Sequence, residues 1–197
     1  MPTLQLKTSR ASHTGKTEDE STVNTYTFSN WIESSGGPFV IIEKKFAPLW
    51  GGTNGYPSDF DLACRTSNYI EEISTTNTTA LILGDEPLRT LVAYSDDHNL
   101  IVRWRWATSE EDVLSKIQNI CFPKKYEDRI DVNFCTDNLE IFDSASTYAE
   151  AESINLKANA GKNTIKTFNY SPDPETSLLI HKISNATQKL KLVNTQL

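Results

Sequence analysis

The stretch that decides the fold is a pair of apolar runs joined by a short polar turn: residues 88–106 read LRTLVAYSDDHNLIVRWRW. Both runs are rich in β-branched and aromatic side chains, and Ser, Asp and Asn separate them, which is typical of an antiparallel hairpin. We therefore predict strands at 88–94 and 100–106, joined by a hairpin loop over Ser95–Asn99.

The second strand of this hairpin has two distinct faces, because successive side chains of a strand point to opposite sides. One face carries Leu100, Val102, Trp104 and Trp106, and the other carries Ile101, Arg103 and Arg105. We expect the two tryptophans to pack in the core. We expect Arg103 and Arg105 to pair with acidic side chains on adjacent strands.

Similar apolar runs, bounded by turn residues, recur on both sides of the hairpin. Gly161 and the segment Pro172–Pro174 supply turns between the later runs. Further strands are predicted at 39–42, 69–73, 80–83, 130–134, 139–142, 154–157, 164–170 and 177–183.

Two segments have a helical pattern instead. Ser58 is a suitable cap for a short helix near 58–66. The principal helix is predicted over 109–121, where Thr108 and Glu111 fit a capping box and the apolar residues form one stripe. The fold class is therefore α+β, mostly antiparallel β-sheet with one principal helix and one short helix.

The predicted organisation has three parts. Residues 1–29 are rich in Ser and Thr and form a flexible polar leader. Residues 30–183 form a single α+β domain, with two β-rich halves meeting near 123–129 as the alternative. Residues 184–197 form a C-terminal tail.

The charge distribution argues against nucleic acid as a partner. The formal net charge is −7, and residues 31–150 alone hold ten basic and twenty acidic side chains. A nucleic-acid-binding protein needs a basic face to neutralise phosphates. No run of about 18 apolar residues is present, so no membrane partner is expected. The N-terminus lacks an apolar signal segment, so we expect a cytoplasmic protein.

The three cysteines, Cys64, Cys121 and Cys135, are far apart and form no CxxC pair. We interpret them as buried, reduced thiols and expect neither a disulfide framework nor a zinc site. No other metal or cofactor is expected.

No motif for nucleophilic or phosphate chemistry is present. The three histidines are His13, His98 and His181, and we interpret His181 as a structural residue of a partly buried strand. The glycine pairs at 36–37 and 51–52 do not belong to a phosphate-binding motif, so we assign them conformational roles. We expect the protein not to be an enzyme.

Clustered acids and tryptophans leave two alternative functions open. The acid clusters are Asp59 with Asp61, Asp85 with Glu86, and Asp96 with Asp97. A small metal-dependent hydrolase or nuclease can use such carboxylates, although Asp59 or Asp61 can instead cap the short helix. A carbohydrate- or ligand-binding β module using Trp31 or Trp50 is the second alternative.

Five segments in one order together resemble a known family. They are Trp31–Phe39 (WIESSGGPF), Leu49–Gly52 (LWGG), Asp59–Cys64 (DFDLAC), Leu81–Leu88 (LILGDEPL) and Val102–Trp104 (VRW). The motif residues are Trp31, Gly36, Gly37, Pro38, Trp50, Gly51, Gly52, Asp59, Asp61, Cys64, Gly84, Pro87, Arg103 and Trp104. The set resembles immunity protein family twenty-one of bacterial polymorphic toxin systems, over about residues 31–183. An aromatic residue is expected after the basic residue of the Gly161 turn, but Asn163 follows Lys162 here.

The resemblance implies a small cytoplasmic α+β protein that binds and neutralises a cognate protein toxin and catalyses no reaction. Acidic surface fits the basic substrate cleft of a nuclease toxin and accelerates encounter with it. Because Gly84–Pro87 and the hairpin loop offer clustered acids, we nominate Asp85, Glu86, Asp96 and Asp97 as toxin-binding residues.

Overall fold

The structure is a computed structural model that describes residues 25–76, 78–84 and 87–184. Within these residues, two antiparallel sheets and two α-helices confirm the α+β class. The strands are β1 Thr27–Phe28, β2 Phe39–Glu43, β3 Glu71–Ser74, β4 Thr79–Leu83, β5 Thr90–Tyr94, β6 His98–Trp106, β7 Asp128–Phe134, β8 Asn138–Asp143, β9 Ser153–Lys157, β10 Gly161–Asp173 and β11 Thr176–Ser184. The helices are α1 Asp59–Ala63 and α2 Glu110–Gln118, and a 3-10 turn covers Ala47–Leu49.

The predicted hairpin is formed by β5 and β6 and lies within a six-stranded sheet. The strand order of this sheet is β1-β5-β6-β11-β10-β7, and that of the five-stranded sheet is β3-β4-β2-β8-β9. Both sheets contain strands from before and after residues 123–129, so neither sheet corresponds to one half of the chain. The domain boundaries at residues 30 and 183 stay a prediction.

The main core lies between the two sheets. Val92 and Ile101 from the six-stranded sheet pack with Ile41 and Leu139 from the five-stranded sheet, and all four are almost fully buried. Burying each such side chain contributes about 1.5–3 kcal/mol. The two sheets therefore form a sandwich with a shared apolar interior.

Two side chains of the six-stranded sheet also tie it to β9, an edge strand of the other sheet. The Tyr94 hydroxyl donates to the carbonyl of Asn155 (2.7 Å), and the Asn99 amide donates to the carbonyl of Lys157 (2.7 Å). Edge strands present free backbone groups, and these bonds satisfy two of them.

A further cluster covers the outer face of each sheet. Val113 and Ile117 of α2 pack on Leu100, Val102 and Phe168 of the six-stranded sheet. On the other side, Trp50 and Ala63 pack against Val40, Ile82 and Phe142 of the five-stranded sheet. Among the described residues, no helix has the length and apolar character required to cross a bilayer.

Residues 25–29 belong to the described fold, in contrast to the predicted leader. β1 pairs with β5, and the side chain of Tyr26 is buried. The leader prediction is therefore wrong for residues 25–29, and residues 1–24 lie outside the described residues. At the other end, Ser184 closes β11, and residues 185–197 also lie outside the described range.

The hairpin loop is shorter than predicted, because His98 and Asn99 belong to β6. They pair with Ser184 and Ile183 of β11, a partner far away in sequence. The register of β6 against β11 then shifts between Trp104 and Trp106. A shift of this kind interrupts the regular alternation of side chains along a strand. Trp104 packs in the α2 cluster as expected, whereas Trp106 is 55% exposed, and its predicted core position is wrong.

Both helices form, with ends set by their caps. At α1 the hydroxyl of Ser58 accepts from the amide of Asp61 (3.0 Å), and the Asp61 carboxylate accepts from the amide of Ser58 (2.9 Å), which confirms the cap. The predicted Thr108 capping box of α2 is wrong. The N-cap is Ser109, whose extended backbone lets its hydroxyl accept from the amide of Asp112 (3.2 Å).

The cysteine interpretation is also incorrect in one respect. Cys64, Cys121 and Cys135 are all free and all exposed rather than buried. Cys64 follows α1, and Cys121 follows α2, which ends at Gln118 and so leaves this residue off the buried stripe.

Candidate functional site: a tryptophan–arginine patch and an acidic hairpin

The first glycine pair shapes the loop that leads into β2. The Asp143 carboxylate accepts from the amide of Ser35 (2.7 Å), and the Ser34 hydroxyl donates to the carbonyl of Gly37 (2.6 Å). Gly36 has φ +118°, which side-chain-bearing residues rarely adopt. A Cβ on Gly37 would overlap the ring of Phe60. The conformational roles predicted for this pair are therefore confirmed.

The second glycine pair belongs to a sealed segment around Trp50. This side chain is 2% exposed, and its Nε1 donates to the carbonyl of Ser144 (2.9 Å). Gly52 has φ +59°, and the Gly51 amide donates to the carboxylate of Asp59 (2.8 Å). A buried indole offers no face to a sugar, so Trp50 is excluded as the ligand platform of the β-module alternative.

Arg103 and Gly84 also have structural positions. Arg103 is fully buried, and its Nη1 donates to the carbonyl of Gly84. Arg105 Nη1 donates to Oδ1 of Asn169 (2.8 Å). The pairing of these arginines with acids stays a prediction.

Buried His181 lies close to Arg103. Its Nδ1 lies 2.8 Å from the hydroxyl of Thr167. Burial first, and the nearby Arg103 charge second, hold the pKa of His181 well below its usual range. A neutral imidazole enclosed in the sheet is a structural residue, as predicted, and has no access to a substrate.

The structure describes one of the two predicted acid pairs. Asp96 is exposed and Asp97 is half-buried at the turn between β5 and β6. Asp85 and Glu86 lie outside the described residues, and their chain neighbour Pro87 precedes β5. Five strand residues span about 17 Å, so Pro87 and the turn at Asp96 and Asp97 lie near opposite ends of β5.

The hairpin turn adjoins a buried tyrosine–histidine pair. The Tyr26 hydroxyl lies 2.6 Å from His98 Nε2. Burial, followed by the nearby Lys182 charge, lowers the pKa of His98 to about 4. Burial and the Asp97 charge raise the pKa of Tyr26 to about 12. His98 is therefore neutral near pH 7 and is held in the sheet rather than in a loop.

At the other end of this hairpin, side chains from separate segments form a surface that we call the tryptophan–arginine patch. Its members are Trp31, Glu33, Arg89, Trp104 and Glu110. The ring centroids of Trp31 and Trp104 are 5.3 Å apart. The guanidinium carbon of Arg89 lies 5.3 Å from the Trp31 centroid and 5.4 Å from the Trp104 centroid.

Two carboxylates fix the guanidinium in this patch. Arg89 Nε lies 2.9 Å from Glu33 Oε1, and Arg89 Nη2 donates to Glu110 Oε1 (2.8 Å). Both tryptophans are half-buried, so part of each ring faces solvent. Planar cations over aromatic faces are held by the ring quadrupole. The patch is consequently a preorganised, mixed aromatic and charged surface.

Trp31 also borders a cleft at this edge of the sandwich. The cleft has a volume of about 570 Å³ and lies between Asn30–Ile32 of the six-stranded side and Ser153–Asn155 of β9. Its walls are the edges of the two sheets, where the sandwich opens.

The sequence identified part of this patch and missed the rest. Trp31 and Trp104 were among the motif residues, but Arg89, Glu33 and Glu110 were not. No local signal connects them, because they lie far apart in the chain. Glu33 lies before β2, Arg89 immediately precedes β5, and Glu110 is the first residue of α2. Only the pairing of β5 with β6 and the docking of α2 bring them together.

The patch has the residue types of a binding surface. In the parts of the chain that the structure describes, no group of three or more His, Cys, Asp or Glu residues is placed to hold a metal ion. Trp and Arg are the residue types that dominate binding energy in protein interfaces.

The sequence model of the family Immunity protein 21 matches residues 30–176. The chain belongs to the immunity protein 21 family. This match confirms the resemblance found in the sequence, and its range includes both the whole patch and the acidic hairpin. No curated protein sequence and no solved structure matches the chain.

Proposed function

We propose that this protein binds and neutralises a cognate protein toxin without catalysing a reaction. The observation that carries the proposal is the family match over residues 30–176. The geometry supports it, because the exposed features in this range include a preorganised patch of interface-type residues and an acidic hairpin. In this proposal the protein acts in the cytoplasm, and its partner is neither nucleic acid nor a membrane.

The non-catalytic role is supported by how the candidate chemical groups are used. Asp59 and Asp61 are hydrogen-bonded to the backbone at the start of α1. The described histidines of the sheets, His98 and His181, are buried and neutral near pH 7. These groups stabilise the fold, and no observation favours the metal-dependent hydrolase over the binding protein.

We propose that Asp96 and Asp97, with Asp85 and Glu86, supply the electrostatic contacts that attract the toxin. The net charge of −7 suits a partner whose functional cleft is basic, as in a nuclease. Complementary charges raise the association rate more than they raise affinity.

The first test is co-purification of this protein with the protein encoded by the neighbouring upstream gene, followed by growth rescue of cells that express that protein. We expect a stable complex and restored growth. Absence of both a complex and rescue would overturn the proposed function.

The second test addresses the acids. Asp96→Lys alone, and Asp96→Lys with Asp97→Lys, should slow association and reduce its dependence on salt. The matched control is Glu72→Lys with Asp137→Lys, which changes the net charge equally at exposed positions on β3 and in the turn between β7 and β8. Equal association rates for the hairpin variant and the wild type would remove the hairpin from the interface.

A further inference from the structure

We propose that the tryptophan–arginine patch is the affinity anchor of the toxin interface and receives a basic face of the toxin on Trp31, Arg89 and Trp104. This inference rests on the proposed function. It assigns the bulk of the binding energy to residues different from the four nominated acids.

The arginine of the patch is preorganised for binding. A free arginine loses rotamer entropy when a partner immobilises it, which weakens binding. Arg89 already lies against two adjoining indole rings and forms ion pairs with Glu33 and Glu110. The entropic cost of ordering this guanidinium is therefore met during folding, before any partner arrives.

The patch has a net negative charge, because two carboxylates surround a single guanidinium. The Glu33 side chain is 71% exposed and that of Glu110 is 46% exposed, so both keep free acceptor sites toward solvent. The exposed Glu111 follows on α2. Such a surface matches cationic side chains, which also bind favourably to the exposed parts of indole rings.

The shape of the surface beside Trp31 also suits a protein partner. Hot-spot residues lie in pockets that exclude water, surrounded by weaker contacts. Trp31 borders the cleft of about 570 Å³, which offers room for a protruding side chain of the partner. A standard interface covers about 800 Å² on each partner, a disc about 32 Å across. One toxin can therefore contact both the patch and the acidic hairpin, about 17 Å away along β5.

The patch differs from the other exposed aromatic positions. Tyr56 is 97% exposed and makes no ring contact with the described residues. Isolated apolar side chains of this kind are normal on protein surfaces. Tyr56 is thus a suitable control for loss of an exposed aromatic ring.

The test measures Kd, at low and high salt, between the purified protein and the protein encoded by the neighbouring upstream gene. Trp31→Ala should raise Kd by at least about 30-fold, the size expected for a hot spot. Glu33→Lys, at an exposed position, should raise Kd about tenfold and weaken the salt dependence. Tyr56→Ala should leave Kd within about twofold. Urea unfolding of each variant establishes that the measured samples are folded.

The outcomes separate the inference from the proposed function. If the wild type binds while Trp31→Ala and Glu33→Lys bind equally well, the inference is overturned and the proposed function stands. If the wild type does not bind, both are overturned. If the free protein is a dimer that Trp31→Ala dissociates, the patch belongs to a second copy and the inference is overturned.

Discussion

Trp50 and Trp31 lie on the outer faces of different sheets and have different surroundings. Trp50 is buried against the five-stranded sheet, and its Nε1 donates to the carbonyl of Ser144. The neighbouring Gly52 has no Cβ, so the backbone of residues 145–146 can lie close to it. Trp31 is half-buried and packs against Trp104 and the charged Arg89. An aromatic ring with neutral, satisfied surroundings stabilises the fold, whereas a ring with charged neighbours at the surface is available for recognition.

The largest expected effect is the loss of the sealed indole. Trp50→Ala should lower the free energy of unfolding by about 3–5 kcal/mol, because it leaves a cavity and an unpaired carbonyl of Ser144. Trp31→Ala should lower it by about 1–2 kcal/mol, because a half-buried ring loses less contact. Urea denaturation measures both. Equal losses would invalidate the distinction between the two faces.

The next effect concerns the glycine that lets the chain close over Trp50. Gly52→Ala should cost about 2–3 kcal/mol, because a Cβ at φ +59° would also meet the Ala145 carbonyl at 2.7 Å. Gly55→Ala is the matched control: φ is +90°, but no atom lies within 4 Å of the added Cβ. It should cost about 1 kcal/mol. If thermal and urea unfolding give the same loss for both variants, close packing at Gly52 is not a determinant of stability.

The outer face of the six-stranded sheet should respond to acid. Burial lowers the pKa of His98 from 6.5 to about 4 in the folded protein. The unfolded chain therefore binds more protons in this range, and the free energy of unfolding falls as pH decreases from about 6.5 toward 4. His181, whose pKa is also lowered by burial, acts in the same direction.

Urea midpoints measured between pH 7.5 and pH 4.5 test this effect. His98→Asn should flatten the pH dependence, although it lowers stability at pH 7 by removing the contact with Tyr26. Trp50→Ala should keep the wild-type slope, because its cluster contains no histidine. An unchanged slope in His98→Asn would show that other groups govern the acid response.

The smallest effect is expected at the rim of the patch. Glu33→Gln should change the free energy of unfolding by less than about 0.5 kcal/mol, because exposed ion pairs contribute little to stability. The measurement is the urea midpoint at low and high salt. A larger loss would mean that Glu33 holds the fold as well as the patch.

Much of the fold was predictable because its signals are local. Alternating apolar residues gave the strands of the hairpin, and Ser58 with its capping geometry gave α1. β1 was missed because a two-residue strand in a polar segment has no periodicity of its own and exists only because β5 offers a free edge. β10 is longer than predicted at both ends. β7 pairs with its N-terminal part from Gly161, and β11 pairs with its C-terminal part as far as Asp173.

The site was predictable only in fragments. The exposure of Asp96 follows from its place in a hairpin turn, and the motif tryptophans stand out by residue type. Arg89 has no distinguishing sequence context, since the charges and rings that give it a role come from other elements. Likewise, the register shift beside the exposed Trp106 arises from pairing with β11, a strand about 70 residues later.

By itself the sequence determined the α+β class, the positions of the principal strands and helices, the glycine turns and the family resemblance, because these depend on neighbours in the chain. Tertiary structure alone decided that Trp50 is fully buried and Trp31 half-buried, that His98 and His181 are neutral near pH 7, and that Arg89 joins two indoles and two carboxylates. Burial, register and charge environment depend on which distant segments meet, and local sequence does not encode those contacts.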